Sequence, residues 1–243
     1  MTPNRRDLLL TGLAFALTGC ASGARRMGSP SRPAPPWPGA VAPPARRVRP
    51  ILATPSATPA PAPVLPTVET ATSIPGLSVV GRERWARYGA NRREIHAMSG
   101  IRKITLHHEG AKPVTFRDFD TTAEHIERLR KSHVGSRGWS DIGYHFIVDR
   151  SGRVWEGRSL AYQGAHVREN NPHNVGVMLL GNFERQAPTR AQLRSAYNTI
   201  QALKGRYGVP SSRVYTHREL VPTACPGRLL QTEIDSARRQ KLI

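Results

Sequence analysis

Cysteine is nearly missing from this 243-residue chain: Cys20 and Cys225 are the only two, too few for a disulfide-stapled scaffold. No run of 18 or more apolar residues occurs, which excludes a polytopic helical membrane protein. There is no internal repeat, no G-x-G-x-x-G and no P-loop, so neither a repeat array nor the familiar glycine-rich phosphate cradles are encoded. Acidic residues are scarce, 17 Asp and Glu against 36 Lys and Arg, for a formal charge of +19. That excess suits an anionic partner, whether nucleic acid, a membrane surface or an acidic polymer, and does not choose among them. The length admits one or two domains.

What is present is ordered along the chain. Arg5 and Arg6 precede an apolar stretch from Leu8 to Leu17, interrupted only by Thr11 and Gly12. The stretch is too short for a permanent membrane span and suits residues 1–19 as a signal peptide. Its Asn4-Arg5-Arg6-Asp7-Leu8 start resembles a twin-arginine signal, without the usual Phe and Lys, which leaves the export route open between that pathway and the general one. Leu17-Thr18-Gly19-Cys20 resembles a bacterial lipobox, which makes Cys20 the expected site of lipidation. Acyl chains on that residue would anchor the protein to an envelope membrane. Ala21, in place of Asp, points to the periplasmic side of the outer membrane if the cell has one.

Between Pro30 and Pro75 there are 14 prolines in 46 residues. Such a segment cannot bury enough apolar surface to offset chain entropy, so residues 21–75 are expected to form a disordered tether. Residues 76–243 are long enough for one core. After position 80 the chain carries 28 basic and 15 acidic residues, a balance of +13.

Within that domain the hydrophobic period keeps changing. Lys103–His108 reads as a buried strand, Thr121–His133 as a helix, and Tyr144–Val148 with Arg153–Glu156 as a hairpin around Asp149-Arg150-Ser151-Gly152. Val175–Leu180 reads as an interior strand. Thr189 and Gln192 form a capping-box pattern for a helix that Gly208-Val209-Pro210 stops. Arg213–Thr216 reads as a short strand, and a last helix is expected over Leu229–Arg239. Alternating strands and helices predict an α/β fold, a sheet covered by helices.

Three residues have the composition of a catalytic zinc site, two imidazoles and a thiolate: His107, His217 and Cys225. His217 ends a strand, and seven residues separate it from Cys225 across a proline-containing loop. His107 and His108 are adjacent on one strand, so they face opposite ways and cannot both reach one ion. Periodicity does not decide between them.

Leu106-His107-His108, Asp141-Ile142-Gly143-Tyr144-His145-Phe146, Gly164-Ala165-His166, Asn174-Val175-Gly176-Val177 and His217 to Gly227 follow one another in a recognisable order. Together with Arg82-Glu83-Arg84-Trp85 the set resembles the zinc-dependent N-acetylmuramoyl-L-alanine amidases, which share a fold with peptidoglycan-recognition proteins and phage T7 lysozyme. It covers most of residues 79–230. The resemblance implies a central mixed β-sheet flanked by helices, Zn2+ as cofactor and His107, His217 and Cys225 as its ligands. It implies Tyr144 at the catalytic site and His166 and Asn171 at substrate-facing positions. Thr223 stands where the T7-like enzymes have a catalytic Lys, and is expected to lend a hydrogen bond to the developing oxyanion. Tyr144, or more loosely Glu109, is the candidate proton shuttle. Trp139 and Trp155 read as packing residues.

The resemblance further implies peptidoglycan as the anionic partner, and an exported chain does not meet nucleic acid. A monomer is expected. Two rival readings stand beside the amidase: a module that binds peptidoglycan without cutting it, and a cysteine hydrolase using Cys225 with His217, in which a helix N-terminus after Cys225 would lower the thiol pKa.

Overall fold

The computed structural model describes residues 74–91 and 95–243. The signal peptide, Cys20 and the tether through residue 73 lie outside the described residues. Of the expected tether only Ile74 and Pro75 are described, and Ile74 is buried in the core, so packing begins at least two residues earlier than the composition shift suggests.

Five strands form one sheet: β1 (Lys103–His108), β2 (Phe146–Val148), β3 (Val154–Glu156), β4 (Asn174–Leu179) and β5 (Val214–Thr216). Their order is β3-β2-β4-β1-β5. β1, β2, β4 and β5 are parallel and β3 runs antiparallel to β2, which makes the sheet mixed, as expected. Three helices cover it: α1 (Phe119–Arg137), α2 (Arg190–Tyr207) and α3 (Arg228–Arg239). Among the described residues, no helix is long and apolar enough to cross a membrane.

Side-chain alternation divides the core in two. Ile104, Leu106, Val175, Val177 and Leu179 pack with Ala196, Ile200 and Leu203 of α2 and Leu230 and Ile234 of α3. On the other face Ile147, Met178 and Trp155 pack with Ile126 of α1. Both faces of β4 are therefore dry, which is why its sequence is a continuous apolar run rather than an alternating one.

The helix ends follow local chemistry. Thr189 and Gln192 exchange both bonds of the capping box at the start of α2, and Gly208 ends it in the left-handed conformation. α1 extends two residues before and four beyond the expected Thr121–His133. Asp118 caps it by accepting the Thr121 N–H at 2.8 Å, and the left-handed Gly138 ends it. The first strand of the hairpin is shorter than expected, Phe146–Val148, because Tyr144 and His145 lie outside the β2–β3 ladder.

Asp149 organises the hairpin turn. Its buried carboxylate accepts from Ser151 N–H, Arg153 N–H, Arg153 Nε at 2.6 Å and Trp155 Nε1 at 2.9 Å. Arg153 in turn donates to the carbonyls of Arg117 and Asp118 just before α1. The part-exposed Arg153 can turn to solvent, but loss of Asp149 leaves the buried Trp155 indole N–H unpaired, which costs about 1–3 kcal/mol. Asp149→Ala is accordingly expected to lower unfolding free energy by about that amount, read as a shift in urea midpoint at unchanged slope; a loss under 1 kcal/mol would contradict the role.

Candidate metal centre and active site

Register decides what periodicity leaves open. In the parallel pairing His107 lies beside Met178, on the α1 face, and His108 beside Leu179, on the α2/α3 face. His108 Nδ1 accepts the Phe183 N–H at 3.2 Å, and burial pushes its pKa down to about 4. It is a packing histidine. His107 is fully buried at the C-terminal end of β1, with its ring centroid 4.6 Å from that of His217.

His217 opens the short 3-10 helix His217–Glu219 directly after β5, the neighbour of β1 in the sheet. The chain then loops through Pro222 and Thr223 back to Cys225, whose carbonyl accepts the Arg218 N–H at 3.0 Å. That bond closes the loop and brings the thiol under the two imidazoles. Ligand atoms of His107, His217 and Cys225 all lie within 4.8 Å of one another. His107 Nδ1 is 3.6 Å from Cys225 Sγ. Tetrahedral zinc with Zn–N near 2.0–2.1 Å and Zn–S near 2.3 Å sets N and S about 3.5 Å apart, so the donor spacing fits such an ion.

The electrostatics suit a cation as well. Burial, reinforced by the neighbouring His166 and His217, pushes His107 well below the ordinary histidine range, and burial lowers His217 too. Neutral imidazoles are the form that ligates metal. Burial raises the Cys225 thiol to about 12, against the opposing pull of the His108 N–H at 3.4 Å and of Arg218. Its position before α3 therefore does not yield a low thiol pKa.

Around the trio the other expected residues take distinct places. Tyr144 is half-buried with its ring 5.2 Å from that of His107, and burial raises its phenol so that it stays protonated. Thr223 is exposed; its Oγ1 accepts the Cys225 N–H at 3.2 Å and keeps its own proton for donation. Glu109 is held by His125 Nε2 at 2.9 Å, and its second oxygen is buried without a partner. His166 is turned inward, whereas Asn171 is half-buried and lines a cavity together with Trp139, Gly164 and Ala165. His166 is buried with both ring nitrogens engaged, by His107 at 3.0 Å and the Asn174 carbonyl at 3.1 Å. Asn171 Oδ1 accepts the N–H groups of His166 and Val167. Trp155 is fully buried, and Trp139 packs on His133 with ring centroids 4.7 Å apart.

Sequence reasoning missed two further buried histidines beside this site. His133 Nδ1 accepts the Gly143 N–H at 3.2 Å, next to Tyr144, and His145 Nδ1 accepts the Gly176 N–H at 3.0 Å. His145 carried a signal, as a histidine inside the apolar run from Ile142 to Val148, whereas His133 sits among the polar residues from Lys131 to Arg137 and carried none.

The family described as N-acetylmuramoyl-L-alanine amidase matches residues 97–228, the span from just before β1 to the start of α3. This chain belongs to that family. Among curated relatives it is 35% identical to the N-acetylmuramoyl-L-alanine amidase of Sus scrofa over 153 residues, 61% of this chain and 25% of that protein. The chain thus spans about a quarter of the length of the amidases it matches first. Its fold is shared with solved structures. The crystal structure of Drosophila peptidoglycan recognition protein SD aligns with a TM-score of 0.60 and 26% identity, covering 65% of this chain and 94% of that one. Peptidoglycan recognition protein LE, in complex with tracheal cytotoxin, aligns with a TM-score of 0.59 and 26% identity, covering 65% and 92%.

Proposed function

We propose that this protein is a zinc-dependent amidase that hydrolyses the bond between N-acetylmuramic acid and L-alanine in peptidoglycan. The observation that carries the reading is the convergence of His107, His217 and Cys225 at one point. Membership of the amidase family supports the reaction class, and the peptidoglycan fragment bound by the structurally similar recognition protein LE supports the substrate class.

When bound, zinc supplies Lewis-acid polarisation of the scissile carbonyl and a lowered pKa for water. The chain's own residues do the rest. Tyr144, kept protonated by burial, acts as a hydrogen-bond donor to the developing oxyanion rather than as a base, and Thr223 adds a second donor from the rim. The basic domain concentrates a polymer whose stem peptides carry free carboxylates. Cys20 acylation and the residues 21–75 tether would hold the domain, as a monomer, at an envelope membrane within reach of the wall.

The deciding experiment is stem-peptide release from purified wall by chelator-treated protein, with and without added zinc. Zinc-dependent release is expected. Binding without release under any metal condition would replace the enzyme with a recognition module, the reading that similarity to recognition proteins keeps in play. Tyr144→Phe is expected to lower kcat by about 10²–10³-fold, the usual cost of one oxyanion donor, with metal content unchanged. An unaltered kcat would remove Tyr144 from the chemistry.

A further inference from the structure

Beneath His107 lies a built contact that the proposed reaction does not itself use. His107 Nε2 and His166 Nδ1 are 3.0 Å apart, with the two rings edge to face at 83°. His166 Nε2 faces the Asn174 carbonyl at 3.1 Å. A carbonyl oxygen only accepts, so Nε2 of His166 carries the hydrogen. In a neutral ring Nδ1 is then an acceptor, and the nitrogen facing it, Nε2 of His107, must be the donor. That leaves the lone pair of His107 on Nδ1, the nitrogen 3.6 Å from Cys225 Sγ.

Much of the surrounding chain is spent on placing His166. A Cβ on Gly164 would sit 2.3 Å from its Cδ2, and one on Gly176 2.7 Å from its ring, so only glycine admits the imidazole at either wall. Asn171 pins its backbone N–H at 2.9 Å. Asn174, whose carbonyl ends the relay, is fixed by Thr105 Oγ1 at 2.9 Å and by the Asn170 carbonyl at 2.8 Å. Thr105, His107, His166 and Asn174 are all buried.

We infer that His166 is a positioning residue: through the Asn174 carbonyl–His166–His107 relay it fixes the tautomer of His107 and aims the Nδ1 lone pair at the point shared with Cys225 and His217. The inference rests on the metal-centre part of the amidase reading and not on hydrolysis of the muramoyl–alanine amide. Outer partners that orient ligating histidines typically change metal affinity by roughly 10- to 100-fold.

Two measurements on the full chain test it. Long-range ¹H–¹⁵N correlation spectra of the chelator-treated protein should show His107 protonated at Nε2. His166→Ala should spread that signal over both tautomers, and cobalt(II) titration, followed by its d–d absorption, should weaken by roughly 10- to 100-fold. His166→Gln, which keeps a side-chain carbonyl as acceptor, should restore the Nε2–H tautomer and most of the affinity. The proposal is overturned by Nδ1 protonation of His107 in the unsubstituted chain, or by a tautomer and cobalt affinity that His166→Ala leaves unchanged. It is equally overturned if His166→Gln does no better than His166→Ala. Cobalt binding with the expected tautomer but no wall hydrolysis would sink the amidase and leave the relay standing. Because the tautomer is read without metal, the relay is tested even if the enzyme reading fails.

Discussion

Cys225→Ser protein is expected to release no stem peptide from purified wall and to lose bound zinc on dialysis. An alcohol at position 225 gives up the soft thiolate donor that two imidazoles alone do not replace. The loss should exceed the roughly 10²–10³-fold that a single oxyanion donor is worth, because an ion lost from this site would take with it the water it would activate. His107→Ala should behave in the same way, and this substitution separates the amidase from a cysteine hydrolase. It leaves Cys225 and His217 in place, so a thiol nucleophile would retain most of its activity. The thiol itself argues against that alternative. With burial lifting its pKa to about 12, on the order of one molecule in 10⁵ is thiolate at neutral pH in the absence of a cation. Retained hydrolysis in His107→Ala, combined with inactivation by a thiol-alkylating reagent that zinc does not block, would reverse the assignment.

The second large effect is on stability in acid. His133 and His145 are buried, each accepts a backbone N–H through Nδ1, and burial pushes each pKa from the ordinary 6.5 to about 4. Because the folded values are depressed, the unfolded chain takes up these protons first. Their contribution is therefore complete above about pH 6.5 and is lost as pH falls to about 4. A shift of that size corresponds to about 3 kcal/mol per histidine, a large share of the 5–15 kcal/mol that holds a typical domain folded. Urea midpoints of the metal-free protein should thus drop steeply between pH 6.5 and 4. His133→Gln keeps an acceptor for Gly143 without a titrating group, and should flatten the slope by about one proton. A slope identical to that of the unsubstituted chain would show that His133 titrates normally in the folded protein.

Much of this architecture is legible in the residues. The span of β1, the capping box of α2 and the glycine that ends it follow from local rules, because each depends on side chains only a few positions apart. A sheet covered by helices follows from the alternation of periods, whereas its mixed character was implied by the family resemblance alone. What local rules miss is decided by contacts across the fold. α1 is longer than its apolar pattern because Asp118 caps it from outside the periodic stretch. The choice between His107 and His108 needs the register against β4, which no property of the KITLHH segment contains. His166 is the clearest case. The amidase resemblance implied a substrate-facing side chain, whereas the packed structure turns it inward against two glycines. Gly164 and Gly176 were visible in the sequence, but only their approach in space reveals what they make room for.

β5 has only three residues and sits at the sheet edge, paired to β1 with Ile104 opposite Val214, 110 positions apart along the chain. The hairpin of β2 and β3, by contrast, closes over a few residues. Loop-closure entropy must be met before distant pairings repay it, so short-range contacts form early and this edge pairing late. His217 follows β5 directly, and Cys225 comes after it. The donor trio is therefore complete only once β5 has joined β1, and a chain that ends before Val214 contains only His107 of the three.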